Sequence, residues 1–210
     1  MRSIITLGRQ FGTDGHEIGR RLAEKLGIEC YDKELIKRAA KESGFCAEIL
    51  ENNDERPTSS FLYNLVMDTY SFGITNTNYV DMPLSHKVFL AQFDTIKKIA
   101  DEGPCVIVGR CADYALADYD NVLNLFIYGD MSKRIARVME KYSVPEKEAR
   151  DMIIKKDKQR ASYYNYYSTK KWGKAETYHL CVDSTVLGMD GTVELLYQFV
   201  MDYEKMISNS

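Results

Sequence analysis

The chain has 210 residues, 28% of them charged and 45% hydrophobic, an ordinary balance for a soluble globular protein long enough to bury a substantial core. Twenty-eight Lys and Arg against 31 Asp and Glu leave a formal net charge of −3, which disfavours broad, sequence-independent binding to nucleic acid. No apolar run approaches the roughly 18 residues of a membrane span, and the N-terminus enters a strand without a signal-type apolar core, so a cytoplasmic protein without a membrane partner is expected.

Short apolar runs alternate with longer helical patterns, the signature of parallel βαβ units. Strands are expected near residues 2–8, 28–31, 105–109, 121–128 and 179–184. The first runs into Gly8-Arg9-Gln10-Phe11-Gly12-Thr13-Asp14-Gly15-His16. An amphipathic helix follows, with Ile18, Leu22 and Leu26 at four-residue steps and Gly27 at its end. Asp14-x-x-Glu17 has capping-box spacing at its start. Strand, glycine-rich turn and helix together aim backbone amides and a helix N-terminus at a phosphate. The Gly8–Glu17 loop therefore reads as an anion cradle, against the plainer alternative of a turn without a ligand. The full P-loop pattern would place Lys and Ser/Thr where His16 and Glu17 stand. The cation must come from elsewhere, with Arg9 the first choice and His16 the second. Arg20 and Arg21 are assigned to the solvated helix face.

Asp32 lies at the carboxyl end of the second strand, where open α/β sheets bind ligands. It either orients Mg²⁺ or a substrate hydroxyl, or caps the helix that begins near Lys33. Arg38, two turns on, either reaches a substrate phosphate or lies in solvent. Between residues 44 and 104 no strand is evident. A polar linker at 52–60 leads to helices at about 61–70 and 83–101, the second striped by Leu84, Val88, Ala91, Ile96 and Ile99 and stopped by Gly103-Pro104. These form a helical insertion, and the aromatics Phe61, Tyr63 and Tyr70 are candidates for a homo-oligomer interface.

Gly109-Arg110-Cys111-Ala112-Asp113 ends the third strand. The fork of Arg110 suits bidentate phosphate binding, and Asp113 is either a second substrate contact or a helix cap. Ser143-x-x-Glu146 opens a long helix that runs through Lys156 and Arg160 into Tyr163, Tyr164 and Tyr167. Two readings stand for it: a mobile arm that lays Arg160 on the transferring phosphate, or a charged helix whose tyrosines pack on the body. A last helix from 190 or 191 to about Met206 buries Val193, Leu196, Phe199 and Val200. His86 and His179 lack companions at metal or catalytic spacing. The five cysteines form no C-x-x-C pair, which suits a reducing compartment.

Three stretches resemble the cytidylate kinase-like branch of the nucleoside monophosphate kinases, which are P-loop proteins. ITLGRQFGTDGHEIGRRLAEKLGIECYDKELIKRAA resembles the N-terminal signature, CVIVGRCADYAL the third-strand segment, and DKQRASYYNYY with HLCVDST the lid and last strand. The resemblance implies a three-layer α/β domain over 1–210, with a five-stranded parallel sheet between helices on both faces. It also implies an acceptor-binding insertion at 45–103 and an arginine-bearing lid at about 143–175. The implied reaction is transfer of the ATP γ-phosphoryl group to a nucleoside monophosphate, CMP or dCMP, with Mg²⁺. Arg38 and Arg110 match positions that hold the acceptor phosphate, and Arg160 matches a lid arginine.

Residues and resemblance together nominate Arg9, His16 and Arg160 as catalytic, and Gly8, Arg9, Gly12, Thr13, Asp14, Gly15, His16 and Glu17 as the ATP-binding loop. Asp32, Arg38, Arg110, Asp113 and Tyr164 are nominated for the acceptor, and Glu17 and Asp32 for the metal. Cytidylate kinases carry Lys and a small or hydroxyl residue at His16 and Glu17, and an acid at Cys111. Glu17 repels phosphate unless a metal or an arginine intervenes. Two other readings stay open: a nucleotide-binding regulatory protein on a degenerate kinase scaffold, and a kinase of a non-nucleotide small molecule.

Overall fold

The computed structural model describes residues 1–44, 48, 54–55 and 84–208. The expected helix at 61–70, the aromatics Phe61, Tyr63 and Tyr70, and Cys46 lie outside the described residues. Five strands form one parallel sheet: β1 (Ile4–Arg9), β2 (Glu29–Tyr31), β3 (Cys105–Val108), β4 (Val122–Tyr128) and β5 (Leu180–Asp183), in the spatial order β2-β3-β1-β4-β5. In register, Ile5 lies between Val106 on β3 and Leu123 on β4. Each strand falls within two residues of its expected place. The central strands read as near-continuous apolar runs because both faces of the sheet are covered, and the polar exceptions Thr6 and Asn124 satisfy each other, Thr6 donating to Asn124 Oδ1 at 2.7 Å. The two-residue period of a strand then sorts the side chains. Ile5, Leu7, Val106 and Val108 join Ile18, Leu22, Leu196 and Val200 on one face, while Ile4 and Ile107 join Leu35, Ile96, Ile99 and Leu116 on the other.

Seven helices are present among the described residues: α1 (Gly15–Leu26), α2 (Lys33–Ser43), α3 (Leu84–Glu102), α4 (Ala112–Ala115), α5 (Met131–Tyr142), α6 (Glu146–Tyr167) and α7 (Ser184–Ser208). None is long and apolar enough to cross a membrane. Gly27 closes α1 in the left-handed conformation, its amide reaching back to the carbonyls of Ala23 and Glu24.

Both expected capping boxes fail. Asp14 adopts a left-handed conformation (φ 57°) that leaves its carboxylate without a cap bond and beside Lys141 and Arg137 of α5. Ser143 terminates α5 rather than starting α6, which opens after Pro145 without a side-chain cap. The α5 helix was not anticipated, although Asp130 caps it in the ordinary way, accepting from the amides of Ser132 and Lys133. The expected last helix follows a non-helical break at Gly188 (φ 68°, ψ −174°), and an unexpected short helical stretch from Ser184 precedes it within the span of α7. On α3, Leu84 is exposed and Phe89 takes the core position instead, stacked on Tyr167 at 3.8 Å. Tyr163, Tyr164 and Tyr167 are buried around it, so α6 is bound to the body along its tyrosine face. Each such ring contributes about 1.5–3 kcal/mol by burial.

Candidate phosphate-binding site

Where β1 hands over to α1, the chain leaves a row of amides without partners. Among the described residues, no hydrogen bond ends on the amide N–H groups of residues 12–17, whereas Gln10 N–H is spent on Ile127 and Phe11 N–H on Asp157. Unpaired amides at a turn and the first turn of a helix form a ready anion site. The turn itself is fixed from inside. Thr13 is fully buried, its hydroxyl donates to the Gln10 carbonyl, and the Ser184 hydroxyl donates to the Thr13 carbonyl. Thr13 therefore acts as scaffold through its side chain. Gly8 lies within β1 under the Phe126 ring, which a Cβ there would meet at 2.7 Å.

Gly15 leaves room for the Arg9 side chain at the head of α1. A Cβ on it would come within 2.6 Å of Arg9 Cβ and 2.9 Å of Arg9 Cγ. The side chain of Arg9 thus crosses the space that a residue at the head of α1 would use. The missing side chain at Gly15 and the long one at Arg9 are a matched pair. Burial works against the charge of Arg9, and Glu55 and Asp32 more than restore it.

Two more arginines reach the same place. Arg110 leaves β3 through a strained turn in which Gly109, Arg110 and Cys111 all have positive φ (78°, 56° and 54°), and left-handed backbone of this kind clusters at functional sites. Its guanidinium is buried, gripping Asp54 with Nε (3.0 Å) and Nη2 (2.9 Å) and Asp32 with Nη1 (2.8 Å). Arg160 comes from α6, donating from Nε to Glu55 (3.3 Å) and from Nη1 to the Arg9 carbonyl (3.2 Å). Glu55 also accepts from Arg9 Nη1 at 2.7 Å. Burial alone would raise the Glu55 carboxyl, but Arg9, Arg160 and Arg110 hold it well below the ordinary range. Asp32 is lowered in the same way by Arg110 and Arg9 against its burial, while burial prevails at Asp54 and pushes it up. His16 Nδ1 lies 2.6 Å from Asp32 Oδ2. Together these groups line a cavity of about 580 Å³, with Arg137, Lys141, Lys156 and Tyr142 on its rim.

The remaining nominated residues separate. Asp14 lines the cavity from the β1–α1 junction, its carboxylate beside Arg137 and Lys141 of α5. Asp113 and Tyr164 line a smaller hollow of about 20 Å³ together with Arg9, Glu55, Arg110 and Arg160; Asp113 is buried there, accepting from the Tyr164 hydroxyl at 2.5 Å, and burial raises its carboxyl. Arg38 lies on the outside of α2, paired with Glu42 and Glu102, and does not line the cavity. Glu17 points along α1, where Arg20 and Arg21 hold its carboxyl down to about 2 by hydrogen bonds, and it too lies off the cavity. Of the two nominated metal ligands, only Asp32 faces the cavity. No group of three acidic, His or Cys side chains among the described residues has metal-binding geometry. Cys111 is buried among the aromatics of α3 and α6.

Sequence reasoning passed over Asp54 and Glu55, two adjacent acids in a segment read as linker, and the Arg134–Asp157 pair. Asp157 is the lone acid in a run of lysines, which is a usable signal. It accepts from Arg134 (2.6 Å) and from Phe11 N–H (2.7 Å), while Arg134 donates to the Phe11 carbonyl (3.1 Å). Both polar groups of the Phe11 peptide are thereby tied to α5 and α6.

The model of the cytidylate kinase-like family matches residues 4–186, from the start of β1 into α7. The chain belongs to the cytidylate kinase-like family. A solved structure of an uncharacterized protein from Eubacterium ventriosum ATCC 27560 is 30% identical, with a TM-score of 0.68 over 95% of this chain and 98% of that one. Shikimate kinase from Bacteroides thetaiotaomicron (12% identity, TM-score 0.54, 96% and 99% covered) and TT1252 from Thermus thermophilus (14%, 0.53, 96% and 97%) share the fold. No curated protein sequence matches the chain. The architecture is the α/β fold of P-loop kinases.

In this cytidylate kinase-like chain the Phe11 clamp is expected to be structural as well as local. Replacing Asp157 by Ala strands Arg134, whose side chain is 4% exposed, and should cost about 3–5 kcal/mol in urea unfolding. A loss below about 1 kcal/mol would show the pair to be dispensable.

Proposed function

We propose that the chain is an ATP-dependent phosphotransferase for a small acceptor, with CMP or dCMP as the acceptor by family resemblance and the cytosol as its setting. The observation that carries this reading is one cavity lined both by Gly12, Asp14, Gly15 and His16, from the run of unpaired amides, and by Arg9, Arg110 and Arg160, which come from three distant segments. Phosphoryl transfer needs little covalent chemistry from the protein and depends on placed positive charge. The amides cradle the donor phosphates, and Arg9 supplies the charge a P-loop lysine would supply. Arg160 approaches from the lid helix, Arg110 and Asp32 stand on the acceptor side, and His16 neighbours Asp32. Mg²⁺ is commonly held by substrate phosphates and one or two carboxylates, and it neutralises phosphate charge. Of the nominated carboxylates, Asp32, which lines the cavity, would be the one to hold it.

The test is ADP production, with MgATP, against a panel of nucleoside monophosphates. Stimulation by CMP or dCMP is the expected result. ATP binding without stimulation by any acceptor would overturn it.

One observation favours a second reading, a nucleotide-binding regulator. The arginines of the site are already paired with the chain's own carboxylates. On that reading calorimetry gives ATP binding without turnover, and replacing Arg160 leaves affinity little changed.

A further inference from the structure

Charge balance at the site is unusual for a place meant to hold phosphate. The guanidiniums of Arg9, Arg110 and Arg160 face the carboxylates of Asp32, Asp54 and Glu55, one for one. A phosphate dianion entering such a site meets no surplus of positive charge at its centre, only at the rim.

Glu55 is the acid that stands on the phosphate donors themselves. Its Oε1 accepts from Arg9 Nη1 at 2.7 Å and from the Arg110 amide at 3.4 Å, and its Oε2 accepts from Arg160 Nε at 3.3 Å. A carboxylate so placed occupies donors that two phosphoryl oxygens would take. Gly109 is open for this arrangement, since a Cβ there would collide with both Arg9 Nη1 and Glu55 Oε1. Gln159 of α6 donates to the Glu55 carbonyl at 3.3 Å, so adjacent lid-helix residues hold this acid from two sides. Glu55 also has φ 50°, a left-handed conformation that costs a non-glycine residue energy and persists only where its surroundings impose it. Asp54 differs. It pairs with Arg110 and Gln92 and touches neither Arg9 nor Arg160.

We infer that the Glu55 carboxylate is an internal competitor for the phosphoryl group, occupying the Arg9–Arg160 seat until a nucleotide phosphate displaces it. The inference rests on the kinase reading of the same cavity and adds its regulation. It makes the closed arrangement self-inhibited: the lid arginine engages the chain's own acid, and nucleotide must break that pairing to bind. Apparent affinity for polyphosphate is then lowered by the fraction of molecules in which Glu55 is seated.

Calorimetric titration of the full chain with ATP and with inorganic tripolyphosphate tests this. Glu55→Gln should bind both at least about tenfold more tightly than wild type, a change worth about 1.4 kcal/mol. Glu24→Gln, an exposed control on α1, should match wild type. The thermal midpoint of Glu55→Gln should fall in phosphate-free buffer, where the arginines repel, and rise on adding tripolyphosphate by more than in wild type. Should Glu55→Gln fold poorly, Glu55→Asp, which keeps the charge on a shorter arm, should show the same direction more weakly. Equal or weaker binding by the Glu55 variants, with wild type binding normally, overturns the inference alone. Failure of every variant and of wild type to bind either ligand overturns the kinase reading together with it.

Discussion

Arg9→Met is expected to lower kcat/KM for phosphoryl transfer by about a thousandfold, with a loss of stability smaller than the about 3–5 kcal/mol of a fully stranded charge, because Glu55 keeps Arg160 as a partner. Arginines placed on transferring phosphate are worth roughly 10³–10⁵ in rate, and about 4 kcal/mol of transition-state charge stabilisation corresponds to the lower figure. Arg9 borders the cavity and, among the described residues, its side-chain ion pair is with Glu55. Gly15→Ala is the sharper form of the same experiment because it removes no charge. At an ordinary helix position Gly to Ala stabilises by about 0.5–1 kcal/mol. Here the new methyl would stand 2.6 Å from Arg9 Cβ and must push the guanidinium off its path. Activity should fall about a hundredfold while the helix remains intact by circular dichroism. Unchanged steady-state kinetics in both variants would return the cation's role to His16.

Arg110→Met should be the most destabilising single change in the site, by about 3–5 kcal/mol, or roughly 6–20 °C in melting temperature for a chain of this size. Arg110 has a side chain 2% exposed, and its removal takes the arginine partner from the buried Asp54 and leaves Asp32 only the charge of Arg9 and its contact with His16. The pH dependence follows. In wild type the folded-state pKa of Asp32 lies below its unfolded value near 3.9, so its contribution is present above that pH and is lost as pH falls through the folded pKa. Without Arg110, burial dominates and both acids titrate higher in the folded state. The variant then loses stability as pH rises. The gap between the two proteins should be widest near pH 7 and should shrink toward pH 4 in urea unfolding. A gap independent of pH would mean that packing, not charge, is what Arg110 contributes.

Local reading succeeded where the signal is periodic or sterically forced. Apolar runs, broken only by Thr6 and Asn124, marked β1, β3 and β4, because a sheet covered on both faces leaves no polar side to alternate with. Gly27 and the Gly103-Pro104 stop ended their helices as read. Local reading failed where a residue has more than one geometric outcome. Asp14 and Ser143 both fit a capping box, and both sit left-handed in turns, with Asp14 facing cations of α5. Arg38 and Arg110 look alike as basic residues after strands. One lies on the outer face of α2 between two glutamates, and the other is buried under the site.

What the chain alone determined is the sheet, the glycine-rich junction after β1 and the family, since these depend on side-chain period and backbone freedom within a few residues. What only the tertiary structure decided is which charges meet. Arg9, Glu55, Arg110 and Arg160 are separated by up to 151 residues along the chain yet within hydrogen-bond reach of one another's partners. Ion pairing depends on distance in space and on the water removed around it, and neither is written in local sequence.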